Sequence, residues 1–166
     1  LSVTVSALAA YGFSKVNFPA GRWLFLIVLA TFMVPQQAVL VPQFILYRSL
    51  GLFDTHAGLI LLNSFSVLGT FMLRQFFLGV SNDYIESAKI DGAGHFRIFT
   101  RIALPLVRPA IATYAILRFI WTWNDYQNPL IFLRTDHRFT LQIAMQKFTT
   151  INGEYYSLIM AAAVSA

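Results

Sequence analysis

Several strongly polar side chains of this sequence sit inside apolar runs, where a polar group is costly unless it is bonded or faces a wet path. Gln36, Gln37 and Gln43 surround Pro35 and Pro42, and Asn63 and Ser64 interrupt a second apolar run. Arg118, Trp123, Asn124 and Asp125 lie in a third, where Arg118 and Asp125 are seven apart, two helical turns on one face. Amides and aromatics so placed can hydrogen-bond and stack on a polar solute. The same amides can instead bond across a helix bundle without meeting any solute. Both roles are open for Gln36, Gln37, Gln43 and Asn63. Trp123, Asn124 and Asp125 are expected at a path or gate, and Arg118 is divided between the path and structural pairing.

Other chemistries lack their residues. His56, His95 and His137 do not converge in sequence, and there are no cysteines, so no metal site is expected. No Gly-rich phosphate loop followed by Lys and Ser or Thr occurs, and no His-Glu-x-x-His run. An intramembrane enzyme needs such a constellation. Neither an enzymatic activity nor a cofactor is expected, and the sixteen phenylalanines read as lipid-facing and interhelical packing.

The elements that position these residues follow from composition. Of 166 residues 57% are hydrophobic, 16% aromatic and only 11% charged, about half the usual charged fraction, and the mean hydropathy is +0.63. The fold class is therefore all-α, a polytopic transmembrane helix bundle. The net charge of +5 comes from scattered Lys and Arg flanking apolar runs, a topology signal and not a nucleic-acid surface.

A span takes about 20 residues. Leu1–Ser14 reads as a cut helix and Lys15–Arg22 as a turn. Trp23–Tyr47 is a span kinked at Pro35 and Pro42, Gly51–Asp54 a turn, and Thr55–Leu73 a second span. Leu106–Leu133 is a third, Arg134–Glu154 a polar loop, and Tyr155–Ala166 the start of a last helix. Alternating sides puts seven cations on one face (Lys15, Arg22, Arg74, Lys89, Arg97, Arg101, Arg108) and four on the other (Arg48, Arg134, Arg138, Lys147). The excess places the stretch around residues 81–105 in the cytoplasm.

That stretch has its own helical grammar. Asp83-x-x-Glu86 after Ser81 and Asn82 reads as a capping box, and Gly92 suits a left-handed position that ends the helix. His95–Ala103 reads as a second short helix, and Pro105 as a first-turn proline of the next span. The product is a two-helix hairpin at the membrane surface, either a simple connection between spans or a shape made for a partner's groove.

Glu86-Ser87-Ala88, three residues, Gly92, nine residues, then Ile102-Ala103-Leu104-Pro105 resembles the EAA loop of binding-protein-dependent ABC importer permeases. Every spacing matches, with Ser87 in place of the usual Ala. Pro35-Gln36-Gln37, Pro42-x-Phe44, Leu50-Gly51-Leu52-x-Asp54-Thr55, Trp121-x-Trp123-Asn124-Asp125-Tyr126 and Pro129-Leu130 are similar to the carbohydrate branch, in particular the smaller permease of maltose-type systems. The resemblance implies one transmembrane domain over 1–166, cut at both ends, with the first of six spans absent and a coupling loop at 81–105. It implies a multi-pass inner-membrane subunit importing a sugar or related polyol, or glycerol phosphate. A passive channel needs no such loop. Implied partners are a cytoplasmic ATPase dimer, a second permease, an extracytoplasmic solute-binding protein and the lipid bilayer, with no nucleic acid. Glu86, Ser87, Ala88, Asp91, Gly92, Ile102, Leu104 and Pro105 are the implied ATPase-docking residues, and ATP hydrolysis falls to the partner.

Overall fold

The computed structural model describes residues 1–151, 160 and 164. Its regular elements are helical: α1 Ser2–Lys15, α2 Gly21–Thr31, α3 Gln36–Ser49, α4 His56–Leu62, α5 Val67–Leu78 and α6 Asn82–Ile90 come first. They are followed by α7 His95–Ile98, a π-helical turn Phe99–Ala103, α8 Leu104–Leu106, α9 Arg108–Trp123, α10 Gln127–Phe132, a short turn Asp136–Arg138 and α11 Leu141–Ile151.

Among the described residues no single helix is long and apolar enough to cross a membrane. Three interrupted pairs meet the length and composition requirement together: α2 with α3, α4 with α5, and His95–Leu106 with α9. The first two pairs coincide with the expected Trp23–Tyr47 and Thr55–Leu73; the third takes in the loop and stops at Trp123, so the expected Leu106–Leu133 span is not matched. Pro35 separates α2 from α3, whereas Pro42 lies inside α3 without ending it. Irregular backbone at membrane depth is tolerated where protein groups take up the freed carbonyls.

Two sequence expectations are corrected. Residues 134–154 are not a loop throughout, because α11 occupies Leu141–Ile151. Pro105 does not open the next span. It lies within the helical run 95–106, and α9 begins at Arg108 after an 81° bend at Val107. Pro109, in the first turn of α9, cannot donate to the carbonyl four residues back, which separates the two runs. The last helix expected over Tyr155–Ala166 lies outside the described residues apart from 160 and 164, each helical.

The described residues form two compact units, Leu1–Ala38 with Asn63–Ile120, and Val39–Leu62 with the described residues from Trp121 onward. In the first, α1 packs along α5 through small side chains. Ser6, Ala7 and Ala10 of α1 and Gly69 and Thr70 of α5 are buried, and small residues let membrane helices approach closely. A Cβ added at Gly69 would stand 2.1 Å from Tyr114 Cζ, which marks how tightly α9 presses on α5. The Tyr114 hydroxyl lies 3.3 Å from Ser2 Oγ and 3.4 Å from Ser6 Oγ, so the buried phenol is satisfied by α1.

The second unit is clipped by Asp54. The turn after α3 holds Asp54 at φ 56°, a left-handed geometry that Asp tolerates better than bulkier residues. Its N–H donates to Phe132 O at 2.9 Å. Its carboxylate accepts the N–H groups of Arg134 (2.8 Å) and Thr135 (3.1 Å) and the Thr135 hydroxyl. Arg138 pairs with it at 3.6 Å and also donates to the Asp54 carbonyl. These bonds, the Arg134 N–H foremost, hold the carboxyl down at about 2. Tyr47 and Phe44 of α3 pack their rings on Phe132 beside this clip, with centroids 5.2 and 6.5 Å away.

Candidate functional site: the two-helix loop and its polar neighbours

The loop begins where Ser81 caps α6, accepting the Asp83 N–H at 3.2 Å while its hydroxyl donates to the Asp83 carboxylate at 2.9 Å. The cap is thus two residues earlier than the Asp83–Glu86 box, because Asn82 and Asp83 already belong to the first turn. The other end matches expectation. Gly92 has φ 76°, its N–H donates to Lys89 O at 3.0 Å, and the Ala93 N–H reaches Ala88 O at 2.9 Å. This pair of bonds is a Schellman closure, and it requires the left-handed residue that Gly supplies.

Beyond the turn, the second helical run changes pitch at Phe99–Ala103, where the Leu104 N–H bonds to Phe99 O, five residues back. Pro105 explains this wide turn. It offers no N–H and its ring crowds the preceding turn, so the helix opens to admit it.

The loop is not a pendant hairpin. Ile85 and Ala88 of α6 and Ile98, Phe99 and Ala103 of the second run share one buried cluster with α1, α5 and α9. Tyr11 stands at its centre, its ring 5.9 Å from Phe77 and 5.1 Å from Phe99. Burying a side chain such as Ile98 or Phe99 is worth roughly 1.5–3 kcal/mol. Lys15, the last residue of α1, donates to Val80 O at 2.6 Å and Asn82 Oδ1 at 2.7 Å, tying α1 to the root of α6. Arg74 of α5 donates to Phe13 O at 3.1 Å and lies 4.3 Å from the Phe25 ring centroid. Sequence patterning treats Lys15 and Arg74 as topology charges only.

The expected docking residues divide into two sets. Glu86, Ser87, Asp91 and Gly92 are exposed on the outer side of the loop. Ala88 is buried, and Ile102, Leu104 and Pro105 are half-buried; Ala88, Ile102 and Leu104 pack with the cluster that holds the loop to the bundle. The structure adds apolar residues that motif reading passed over. Ile90 is 86% exposed and Phe96 74%, on either side of the Gly92 turn, and Tyr84 is exposed as well. Exposed apolar positions within helices otherwise anchored by a buried face carried that signal in the sequence.

Of the polar residues that interrupt the apolar runs, Asn63 and Arg118 are brought together. The Arg118 guanidinium donates to Asn63 O at 2.8 Å and Asn63 Oδ1 at 2.9 Å. Asn63 stands where the chain breaks between α4 and α5, so the arginine takes up a carbonyl that the break releases. The expected Arg118–Asp125 stripe does not form. The α9 helix ends at Trp123, and Asp125 lies in the following turn, accepting the Asn128 N–H at 3.2 Å and its amide Nδ2 at 2.8 Å. An Asp three residues before the bonded amide, at the mouth of a short helix, is a capping signal readable in sequence. Gln36 and Gln37 are exposed on the first turn of α3, Gln43 is half-buried, and Asn124 is exposed. Trp123 is exposed too, and its carbonyl accepts from Gln142 at 2.8 Å. Among the described residues, the histidines and carboxylates form no group able to hold a metal ion.

The broken helices and the packed two-helix loop establish an all-α fold, and comparison with known proteins supplies the family. Residues 2–166 match the family described as binding-protein-dependent transport system inner membrane component. The chain belongs to that family. It is 34% identical to an arabinooligosaccharides transport system permease protein of Bacillus subtilis, over all of this chain and 59% of that protein. It is 32% identical to an sn-glycerol-3-phosphate transport system permease protein of Rhizobium meliloti, over 99% of this chain and 59% of that one. Among solved structures, a bacterial ABC transporter involved in the import of the acidic polysaccharide alginate matches with a TM-score of 0.81 and 27% identity, over 95% of this chain and 58% of that chain. The chain thus spans about three fifths of the length of the curated relatives it matches.

Proposed function

We propose that residues 1–166 are part of the transmembrane domain of an ATP-driven ABC importer, a permease subunit in the cytoplasmic membrane that moves a sugar or related polyol by alternating access. The observation that carries this reading is the division of the 81–105 loop. Its inner face is buried with α1, α5 and α9, while Glu86, Asp91, Ile90 and Phe96 face outward. A partner gripping the outer side moves the spans with it, because a packed cluster transmits displacement and does not absorb it. The partner is a separate ATPase dimer, with Glu86, Ser87, Asp91 and Gly92 at the contact and Phe96 and Ile90 as apolar anchors. A second permease and an extracytoplasmic binding protein complete the importer.

Gln36, Gln37, Gln43, Trp123 and Asn124 supply the hydrogen-bonding and stacking groups of the path. Arg118–Asn63 and Asp125–Asn128 hold its frame. The permease names of relatives from two solute classes support an alternative cargo, glycerol phosphate in place of a neutral sugar.

The test is reconstitution of the full-length importer in proteoliposomes. Glu86→Lys is expected to abolish solute-stimulated ATP hydrolysis and transport while the subunit still inserts and assembles in the membrane. Transport at the wild-type rate would refute the docking role.

A further inference from the structure

An apolar cleft of about 480 Å³ opens between α1, the second run of the loop and α9. Val3, Ala7, Phe99, Leu104 and Ile111 line it, and Arg108, the first residue of α9, closes one rim. Its volume lies in the range of small-molecule sites, roughly 300–1,000 Å³. Arg108 is exposed, and so are Arg97 and Arg101 on the run that leads to it.

We propose that this cleft is a phospholipid site, with an acyl chain along Val3, Ala7 and Ile111 and an anionic headgroup on Arg108. Charge complementarity selects the occupant. All three arginines belong to the side that the charge asymmetry assigns to the cytoplasm, and the cytoplasmic leaflet carries the anionic lipids. An uncharged acyl slot ending at a guanidinium matches the two ends of such a lipid, because Arg pairs with phosphate in a bidentate fork. The cleft also touches Phe99, which opens the π-turn, and Leu104, which follows it, so a lipid seated there braces the loop against α1.

The proposal rests on the cytoplasmic placement of the 81–105 stretch and Arg108 expected from the charge asymmetry, and the experiment separates the two. In membranes holding the full-length permease without its ATPase, so that the docking face is open, Asp91→Cys should be modified by a membrane-impermeant maleimide from the cytoplasmic side only; labelling from the other side removes the orientation and the lipid site together. With orientation established, lipid retention is read by native mass spectrometry of the delipidated importer titrated with phosphatidylglycerol or phosphatidylcholine. Wild type is expected to retain phosphatidylglycerol in preference. Arg108→Gln should bind it roughly fivefold more weakly, the scale of one cation at an anionic surface, and Arg108→Lys should keep most of the binding. Ala112→Trp, which fills the cleft from an exposed position, should lower retention of both lipids. Equal retention of the two lipids, or no effect of Arg108→Gln and Ala112→Trp, overturns the proposal. So does Ala112→Cys that resists a lipid-phase maleimide, since protein then covers the cleft.

Discussion

Gly92 and Arg118 carry two different constraints, one of backbone and one of charge. At φ 76° Gly92 occupies a conformation that costs an ordinary L-residue roughly 1–2 kcal/mol, and nothing lies within 4 Å of where a Cβ would stand. Gly92→Val therefore fails by strain and not by collision. It is expected to open the Schellman closure and uncouple ATP hydrolysis from transport, while insertion stays normal. A solute-stimulated ATPase rate equal to wild type would contradict this. Gly69→Leu is the opposite case, because the added side chain meets the buried Tyr114 ring. Overpacking of this kind costs roughly 1–3 kcal/mol, measurable as a lower midpoint of thermal unfolding in detergent. Arg118→Leu removes two charge-assisted bonds to Asn63. Its expected cost is about 1–2 kcal/mol. If the pair also lines the path, transport KM shifts as well, and an unchanged KM assigns it to the frame alone.

Elements were legible in the sequence to the extent that local chemistry decides them. The Gly92 stop, the α1 end at Lys15 and the turn around Gly51–Asp54 follow from residue type. The breaks were harder to place. Pro35 and Pro42 read alike in sequence, yet only Pro35 separates helices, and Pro42 lies inside α3. The Asp83–Glu86 box was misplaced by two residues because Ser, Asn and Asp in succession are all good caps, and only geometry shows that Ser81 accepts the bond. The Asp54 clip was invisible because its partners lie some eighty residues away. It has a pH signature. The folded carboxyl sits at about 2 against an ordinary 3.8, so its contribution to stability is fully present above about pH 4. It is lost as pH falls through the interval toward 2. The stability difference between wild type and Asp54→Asn is expected to be constant from pH 5 to 8 and to shrink below pH 4. A difference that grows on acidification would contradict the clip.

At the scale of the whole molecule, the proposed coupling requires the loop and the helices behind it to move as one body, and Ile98 sits at the joint that would make them do so. It is fully buried within the cluster that joins the second helical run to α1, α5 and α9. Ile98→Ala leaves a cavity at that joint and costs about 2–5 kcal/mol, whereas Ile98→Val costs about 0.5–1.5. Neither change touches the exposed Glu86, Ile90 or Phe96. Docking of the ATPase should therefore persist, so that co-purification and basal hydrolysis stay near wild type. Closure of the ATPase would then be partly spent deforming the loop, lowering the number of solutes moved per ATP in Ile98→Ala and only slightly in Ile98→Val. Lys15→Met, which frees the root of α6 from α1, should act in the same direction. The decisive measurement is the ratio of transport to hydrolysis in proteoliposomes at matched assembly. A ratio unchanged in Ile98→Ala would mean that force reaches the spans by a route other than this buried cluster.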